Sequence, residues 1–524
     1  MTKKAAVLMT LALAGFLSAS LQAAPQAARG KTPPNTSEQH TGAKKVTPLK
    51  DTATRTQHTL KIDGRELHYT ATAGTLVLRS EEGKPQAGIF YIAYTKDGVK
   101  DEAARPVTFC FNGGPGSSAV WLQLGALGPE RVVIKDNGLP YPPPYRVAQN
   151  PDSLLDISDL VFIDPVSTGF SRAVNPKEAS RYHGVKGDIR SVGDFIRLYL
   201  THYNRWGSPK FLAGESYGTT RAAGLSGYLQ NRGIYLNGVV LVSSVLNFQT
   251  LAFNVGNDLP YVLYLPSYAA TAWYHKKLAP GLEADFQKTV REARQFAFGE
   301  YASALLAGDS LSKAQRTDVV DKLSRFTGLS KQYIEDSNLR VPVYHFVKQL
   351  LRDQRRTVGR FDSRLEGMDR DAAGSTFSYD PSFASVNGVF TGAFNGYLRN
   401  FLNYKKDRPY TILSRKVWPW KFDADNRYLN VADTLRQAMT ENPYLRVFVG
   451  CGYFDLATPF AQAQYTVDHL QLDPSLRSHI VLHYYKSGHM IYLNKPSLAK
   501  LKKDLAAFYR GCLSEPRNGA GAGR

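Results

Sequence analysis

The sequence predicts an α/β fold in which a mainly parallel central sheet is covered by helices. Three observations predict it. Short apolar runs such as Gly238-Val239-Val240-Leu241-Val242 read as buried strands. An amphipathic stretch alternates with them, with Val185, Ile189, Val192, Ile196 and Tyr199 at helical spacing. Several of the runs discharge into glycine-bearing loops, and strand, helix, strand alternation is the signature of a parallel sheet.

Taken in order, the first residues resemble an export signal. Lys3 and Lys4 precede an apolar core, Ala5 to Leu17, too short to span a bilayer, and Ser20-Leu21-Gln22-Ala23 forms a small-residue processing site. Residues 1–23 are therefore expected to be removed near Ala23. Residues 24–55, rich in Pro, Thr, Ser, Gln and Lys, read as a flexible leader. From His58 to Tyr94, alternating runs punctuated by Asp63-Gly64 and Glu82-Gly83 predict an antiparallel meander of outer strands.

The first part of the core is expected over 56–246. It holds strands Pro106 to Phe111 and Asp159 to Asp164, the helix Val185 to Tyr203, a strand from Lys210, a helix Tyr217 to Leu229 and a strand Leu236 to Val245. Over 247–442 the pattern changes to aromatic-rich helical segments, as expected of a large, mostly helical cap inserted between two sheet strands. Its basic patch, Arg352 to Arg360, reads as a wet face. The second part of the core, 443–515, brings strands Leu445 to Gly450 and His479 to Tyr484 and a closing helix Ser497 to Cys512. Residues 516–524 read as a disordered tail.

Hydrophobic residues make up 43% of the chain, with 30 tyrosines and 26 phenylalanines, which excludes a wholly disordered or fibrous protein. The net charge of +20 is scattered and accompanied by no nucleic-acid module signature, so it reads as a solvated basic surface and no nucleic-acid partner is expected. No later apolar run reaches membrane-spanning length. The expectation is a soluble, periplasmic or secreted protein without stable membrane insertion. Of three cysteines, Cys512 shares an apolar stripe with Leu498, Leu501, Leu505 and Phe508 and reads as core, while Cys110 and Cys451, at strand ends, either pair or stay free.

The chemistry centres on Gly214-Glu215-Ser216-Tyr217-Gly218. A Gly-x-Ser-x-Gly turn between strand and helix presents the serine oxygen clear of the sheet, beside the positive end of the helix. A serine hydroxyl needs a base, itself oriented by an acid. Asp455 and His489 each follow a predicted strand, giving the order Ser, Asp, His found in α/β-hydrolases. His483 is the rival base, within a strand. Asn112-Gly113-Gly114-Pro115-Gly116-Ser117-Ser118 opens backbone N–H groups to a developing negative charge. It lacks the Lys-Ser/Thr ending of a phosphate-cradling loop. No zinc motif is present, so a mechanism without metal or cofactor is expected.

These residues resemble the serine carboxypeptidases, and the chain is identified as a bacterial exported member of that family. Asn112 to Ser118, Gly214-Glu215-Ser216-Tyr217 and Gly488-His489-Met490 are similar to its three signature regions, in the family's order. The resemblance implies an α/β-hydrolase fold, Ser216 as nucleophile, His489 as base and Asp455 as its orienting acid. It also implies an oxyanion hole from the N–H groups of Gly114 and Tyr217, and peptide substrates held by their terminal carboxylate at Asn112, Gly113 and Glu215. Met490 would line the pocket of the leaving amino acid. Where the family has a second glutamate, bonded to the first, this chain has Ala126; Ser117 stands where many relatives have a disulfide cysteine. A protonated Glu215 would attract the substrate carboxylate and favour acid conditions, whereas an exposed glutamate at the start of the helix would only complement its dipole. An esterase or acyltransferase with the same triad, and a cell-envelope binding protein with a disused one, are the alternatives.

Overall fold

The computed structural model describes residues 49–514. The expected signal, the expected leader up to residue 48 and the expected tail lie outside them.

Nine strands form the path of the central sheet: β1 (Thr52–Ile62), β2 (Arg65–Arg79), β3 (Pro85–Lys96), β4 (Val107–Phe111), β5 (Asp159–Ile163), β6 (Lys210–Glu215), β7 (Gly238–Val242), β8 (Arg446–Gly452) and β9 (Ile480–Tyr485). Their order is β1-β2-β3-β5-β4-β6-β7-β8-β9, and a two-residue strand, Arg172–Ala173, pairs with β3. The pairs from β1 to β5 are antiparallel, and every pair from β5 to β9 is parallel. The β1–β2 turn places Asp63 at φ 49° and Gly64 at φ 76°, the two positive angles a two-residue hairpin requires.

Strands β4, β5 and β7 are buried at every position, which is why they read as unbroken apolar runs rather than alternating ones. Neighbouring side chains go to opposite faces. Leu212 packs with helices α1 (Val185–His202) and α2 (Tyr217–Gln230) on one face, and Phe211 and Ala213 pack with Leu498, Leu501 and Leu505 of the C-terminal helix Lys495–Leu513 on the other.

Between the adjacent strands β7 and β8 the chain leaves the sheet for some two hundred residues of mostly helical structure with a core of its own, where Tyr268 stacks on Phe346 at 3.9 Å. This excursion returns to the sheet's rim through short bridges, Leu413 to Ser117 and Thr411 to Gly169. Among the described residues, no helix is long and apolar enough to cross a membrane.

Two expectations are corrected, and one alternative left open by the sequence is decided. Strand β1 begins at Thr52, inside the stretch expected as leader, because its pairing with β2 runs from Thr52 opposite Thr75. The Arg352 to Arg360 patch is wet only at Asp353 to Arg355: Thr357, Val358 and Gly359 are buried, Thr357–Val358 pairs with Glu366–Gly367, and the Arg360 Nε is buried too. Cys110 and Cys451 are both free. They sit on β4 and β8 with β6 and β7 between them, a separation of roughly three strand spacings that no disulfide spans. Cys512 is half-buried at the edge of the core.

Candidate active site

The predicted groups converge because parallel strands end at one rim, where an open α/β sheet carries its ligands. Ser216 follows β6 at φ 60° and ψ −132°, a conformation strained for any side chain and imposed by the turn into α2. Gly214 allows that turn: a Cβ there would lie 2.2 Å from the Gly218 carbonyl oxygen. The Ser216 N–H donates to the Val242 carbonyl at 3.0 Å, fixing the elbow to the end of β7.

Asp455 and His489 come from the loops after β8 and β9. The loops are joined by Tyr453 N–H to Tyr485 O and Phe454 N–H to Ser487 O, both 3.0 Å. His489 Nδ1 lies 2.8 Å from Asp455 Oδ2, with both side chains buried. The carboxylate is itself held: Oδ1 accepts from Ala457 N–H at 2.7 Å and Thr458 N–H at 2.9 Å, and Oδ2 from the Thr458 hydroxyl at 2.7 Å. Ser243, at the end of β7 and next to the residue that anchors Ser216, donates its hydroxyl to the His489 carbonyl at 2.6 Å. His489 is thereby pulled across β8 towards the elbow. Its Nε2 is buried and makes no hydrogen bond among the described residues, so the bond to Ser216 Oγ is not formed here. Such bonds are often long without substrate and tighten in the complex. His483 instead stacks on Phe448 and pairs with Asp504 at 3.3 Å, away from the serine.

The glycine loop meets the head of α2 directly. A Cβ on Gly113 would lie 2.4 Å from the Tyr217 nitrogen and 2.7 Å from that of Gly218, so Gly113 and the first residues of α2 crowd one point. As the first helical residue, Tyr217 has no intrahelical acceptor for its N–H. Asn112 is pinned at three atoms: Nδ2 donates to Glu215 Oε1 at 3.1 Å, Oδ1 accepts from Leu122 N–H at 3.0 Å, and its carbonyl accepts from Arg221 Nη1 at 2.6 Å. Arg221 lies between the rings of Phe111 and Tyr217 and pairs with Asp188 at 2.8 Å, all of it buried. Burial raises the Asp188 carboxyl's pKa even against the pull of Arg221. Removing one partner of such a pair costs about 3–5 kcal/mol, which makes this pair the brace of the loop.

Glu215 is 2% exposed, so it is not a solvated glutamate at the start of a helix. Burial pushes its carboxyl up to about 7; the nearby Asp455 adds to the rise, while His489, Tyr492 and Asn112 oppose it. Met490 is buried and lines a small apolar cavity of about 10 Å³ with Phe361, Phe383 and Val386. Leu365 belongs to this cavity and to a larger one of about 300 Å³ edged by Tyr274, Arg364 and Glu366.

Four contributors were not read from the sequence: Ser243, Thr458, Phe361 and Tyr492. The Phe361 carbonyl accepts the His489 N–H at 2.6 Å, and its ring lies 5.0 Å from the imidazole. Only Thr458 carried a local signal, standing three residues after an aspartate in a turn.

An α/β-hydrolase sheet with a strained serine, a buried Asp–His pair and a glycine loop at one rim is the frame of a serine hydrolase. The family model for serine carboxypeptidases matches residues 73–491, and the chain belongs to that family. Among curated proteins it is similar to serine carboxypeptidase-like 37 of Arabidopsis thaliana, 29% identical over 133 residues, 24% of this chain and 26% of that protein. It is likewise 29% identical over 170 residues to serine carboxypeptidase-like 36 of the same plant, 31% of this chain and 33% of that protein. The chain thus matches only a quarter to a third of the length of those relatives. Among solved structures it resembles a prohormone-processing carboxypeptidase, Kex1ΔP of Saccharomyces cerevisiae. The TM-score is 0.54 at 15% identity, covering 84% of this chain and 91% of that one, a likeness of fold.

Proposed function

We propose that the protein removes C-terminal residues from peptides through an acyl-enzyme on Ser216. The observation that carries this reading is Glu215, a carboxyl buried beside the elbow serine, bonded to Asn112 and inclined to hold a proton up to about pH 7. A neutral carboxyl and an amide at that place receive a terminal carboxylate; an ionised carboxyl repels it. In this reading His489 Nε2 takes the proton of Ser216 as its oxygen attacks the last peptide carbonyl, and Asp455 holds the imidazolium that forms. The N–H groups of Gly114 and Tyr217 receive the oxyanion. His489 then protonates the leaving amino group, the C–N bond breaks, and water activated by the same imidazole releases the shortened peptide. Asn112, Gly113 and Glu215 would hold the departing residue's carboxylate and Met490 its side chain.

Mass spectrometry of a peptide digested at several pH values tests this. Sequential shortening from the C-terminus is expected, fading as pH rises through about 7 and Glu215 ionises, with C-terminally amidated peptides losing the pH dependence. Internal cuts, or turnover of simple esters alone, would sink the peptidase reading.

The same reading places the protein in the periplasm or outside the cell, supported by Lys3, Lys4, the apolar run to Leu17 and the small residues before Ala24. Cell fractionation with N-terminal sequencing should recover a chain starting near Ala24; a chain still starting at Met1 in the cytoplasm would overturn export.

A further inference from the structure

Among the buried polar atoms around the elbow that make no hydrogen bond among the described residues are Nε2 of His489, Oε2 of Glu215 and the hydroxyl of Tyr492. The carboxypeptidase reading uses the first two and leaves the third without a task. Tyr492 is fully buried, three residues after His489, on the short turn Ile491–Leu493. Its ring presses on Gly125, where a Cβ would lie 2.3 Å from Cε2. The ring therefore fills the space beside the segment 123–127 that contains Ala126, the position at which the resemblance to serine carboxypeptidases implies a second glutamate. Its hydroxyl and the Glu215 carboxyl act on one another, each altering the other's ionisation, although the hydroxyl and Oε2 fall short of full hydrogen-bond geometry.

Resting on the carboxypeptidase reading, we propose that Tyr492 takes the place of the missing second carboxyl, donating its hydroxyl to Glu215 Oε2 and so setting the pH range over which Glu215 receives a substrate carboxylate. Tyr492 is a positioning residue that acts through Glu215. A phenol and a carboxylic acid differ in this role. Two carboxyls share one proton and push one pKa up. The Tyr492 hydroxyl stays protonated, since burial and the Glu215 charge hold its pKa well above the usual value. It can only donate, and donation favours the ionised form of Glu215, opposing burial. The other groups bearing on that carboxyl are His489, which favours its charge, Asp455, which disfavours it, and the Asn112 amide on Oε1. Tyr492→Phe leaves all of these in place and keeps the ring against Gly125.

The test is the pH profile of kcat/KM for an N-blocked dipeptide with a free C-terminus and for its C-terminal ester, in the wild type and in Tyr492→Phe. Loss of the donor should raise the Glu215 pKa and move the alkaline limb for the free acid upward by about one pH unit, the scale of one hydrogen bond to a charged group. The ester profile should not move. In a Glu215→Gln background, which has no carboxyl to titrate, Tyr492→Phe should shift nothing. An unmoved limb, an equal shift for both substrates, or a shift that survives Glu215→Gln overturns the proposal. A wild type indifferent to the free carboxylate would bring down the carboxypeptidase reading and this proposal with it; a wild type that prefers the free acid, with the limb unmoved in the variant, removes Tyr492 alone.

Discussion

Ser216→Ala should lower kcat by roughly six powers of ten while KM for a free-acid dipeptide changes little. In the proposed mechanism the nucleophile, base and acid act as one unit, so deleting the attacking oxygen should remove nearly the whole benefit of the Asp455–His489 pair. What remains, about three to four powers of ten over the uncatalysed reaction, would come from the N–H groups beside Gly113 and from the proposed carboxylate site at Asn112 and Glu215, which the substitution leaves standing. Alanine keeps the Cβ that the strained φ of 60° already accommodates, so the unfolding midpoint should stay close to that of the wild type. Covalent labelling by a serine-directed phosphonate should be lost. Turnover within tenfold of the wild type would show that the Ser216 oxygen does no chemistry.

The parts of this site that could be read in the sequence are those whose signals are local. A buried parallel strand writes an unbroken apolar run, and a loop that must approach another backbone writes glycine, so Gly113, Gly214 and the strands before them announced themselves. Asp455 and His489 were legible because each follows such a strand. The family model and the solved neighbour bear on the family and the fold, not on these roles, which rest on geometry. Phe361 was not legible. It reaches the histidine only after the long excursion between β7 and β8 folds back, and nothing in its neighbours marks a residue whose carbonyl will bond the His489 N–H. Ser243 looked like the end of a strand, and its hydroxyl finds His489 through a contact spanning some two hundred and fifty positions. Tyr492 was hidden for another reason: a buried tyrosine after a signature histidine reads as core, and only its position opposite Ala126's segment gives it a partner. The leader boundary slipped because β1 is largely polar and solvent-facing along its first turns of alternation, and its ordering comes from pairing with β2 rather than from its own composition.

Asp455→Asn should cost about four powers of ten in kcat at neutral pH without unfolding the protein. The direction follows from which oxygen is held by what. Oδ1 accepts two backbone N–H bonds, from Ala457 and Thr458, and an amide NH2 placed there would meet two donors. The Asn side chain must therefore keep its oxygen at that place and turn its NH2 to the position of Oδ2, 2.8 Å from His489 Nδ1. A donor at that position forces Nδ1 to accept, and the neutral ring must carry its proton on Nε2, the nitrogen that should take the proton of Ser216. The Thr458 hydroxyl, now facing an NH2 and not a carboxylate oxygen, turns to donate elsewhere or accepts from it, so the loop is retained. The expected signature is a large loss of kcat and of phosphonate labelling rate together, with KM for the free-acid dipeptide nearly constant, because Asn112 and Glu215 are untouched. If Asp455→Asn instead kept kcat within a factor of ten, the 2.8 Å contact would be structural and the orienting role would have to pass to Thr458, whose hydroxyl lies 3.2 Å from the same ring nitrogen.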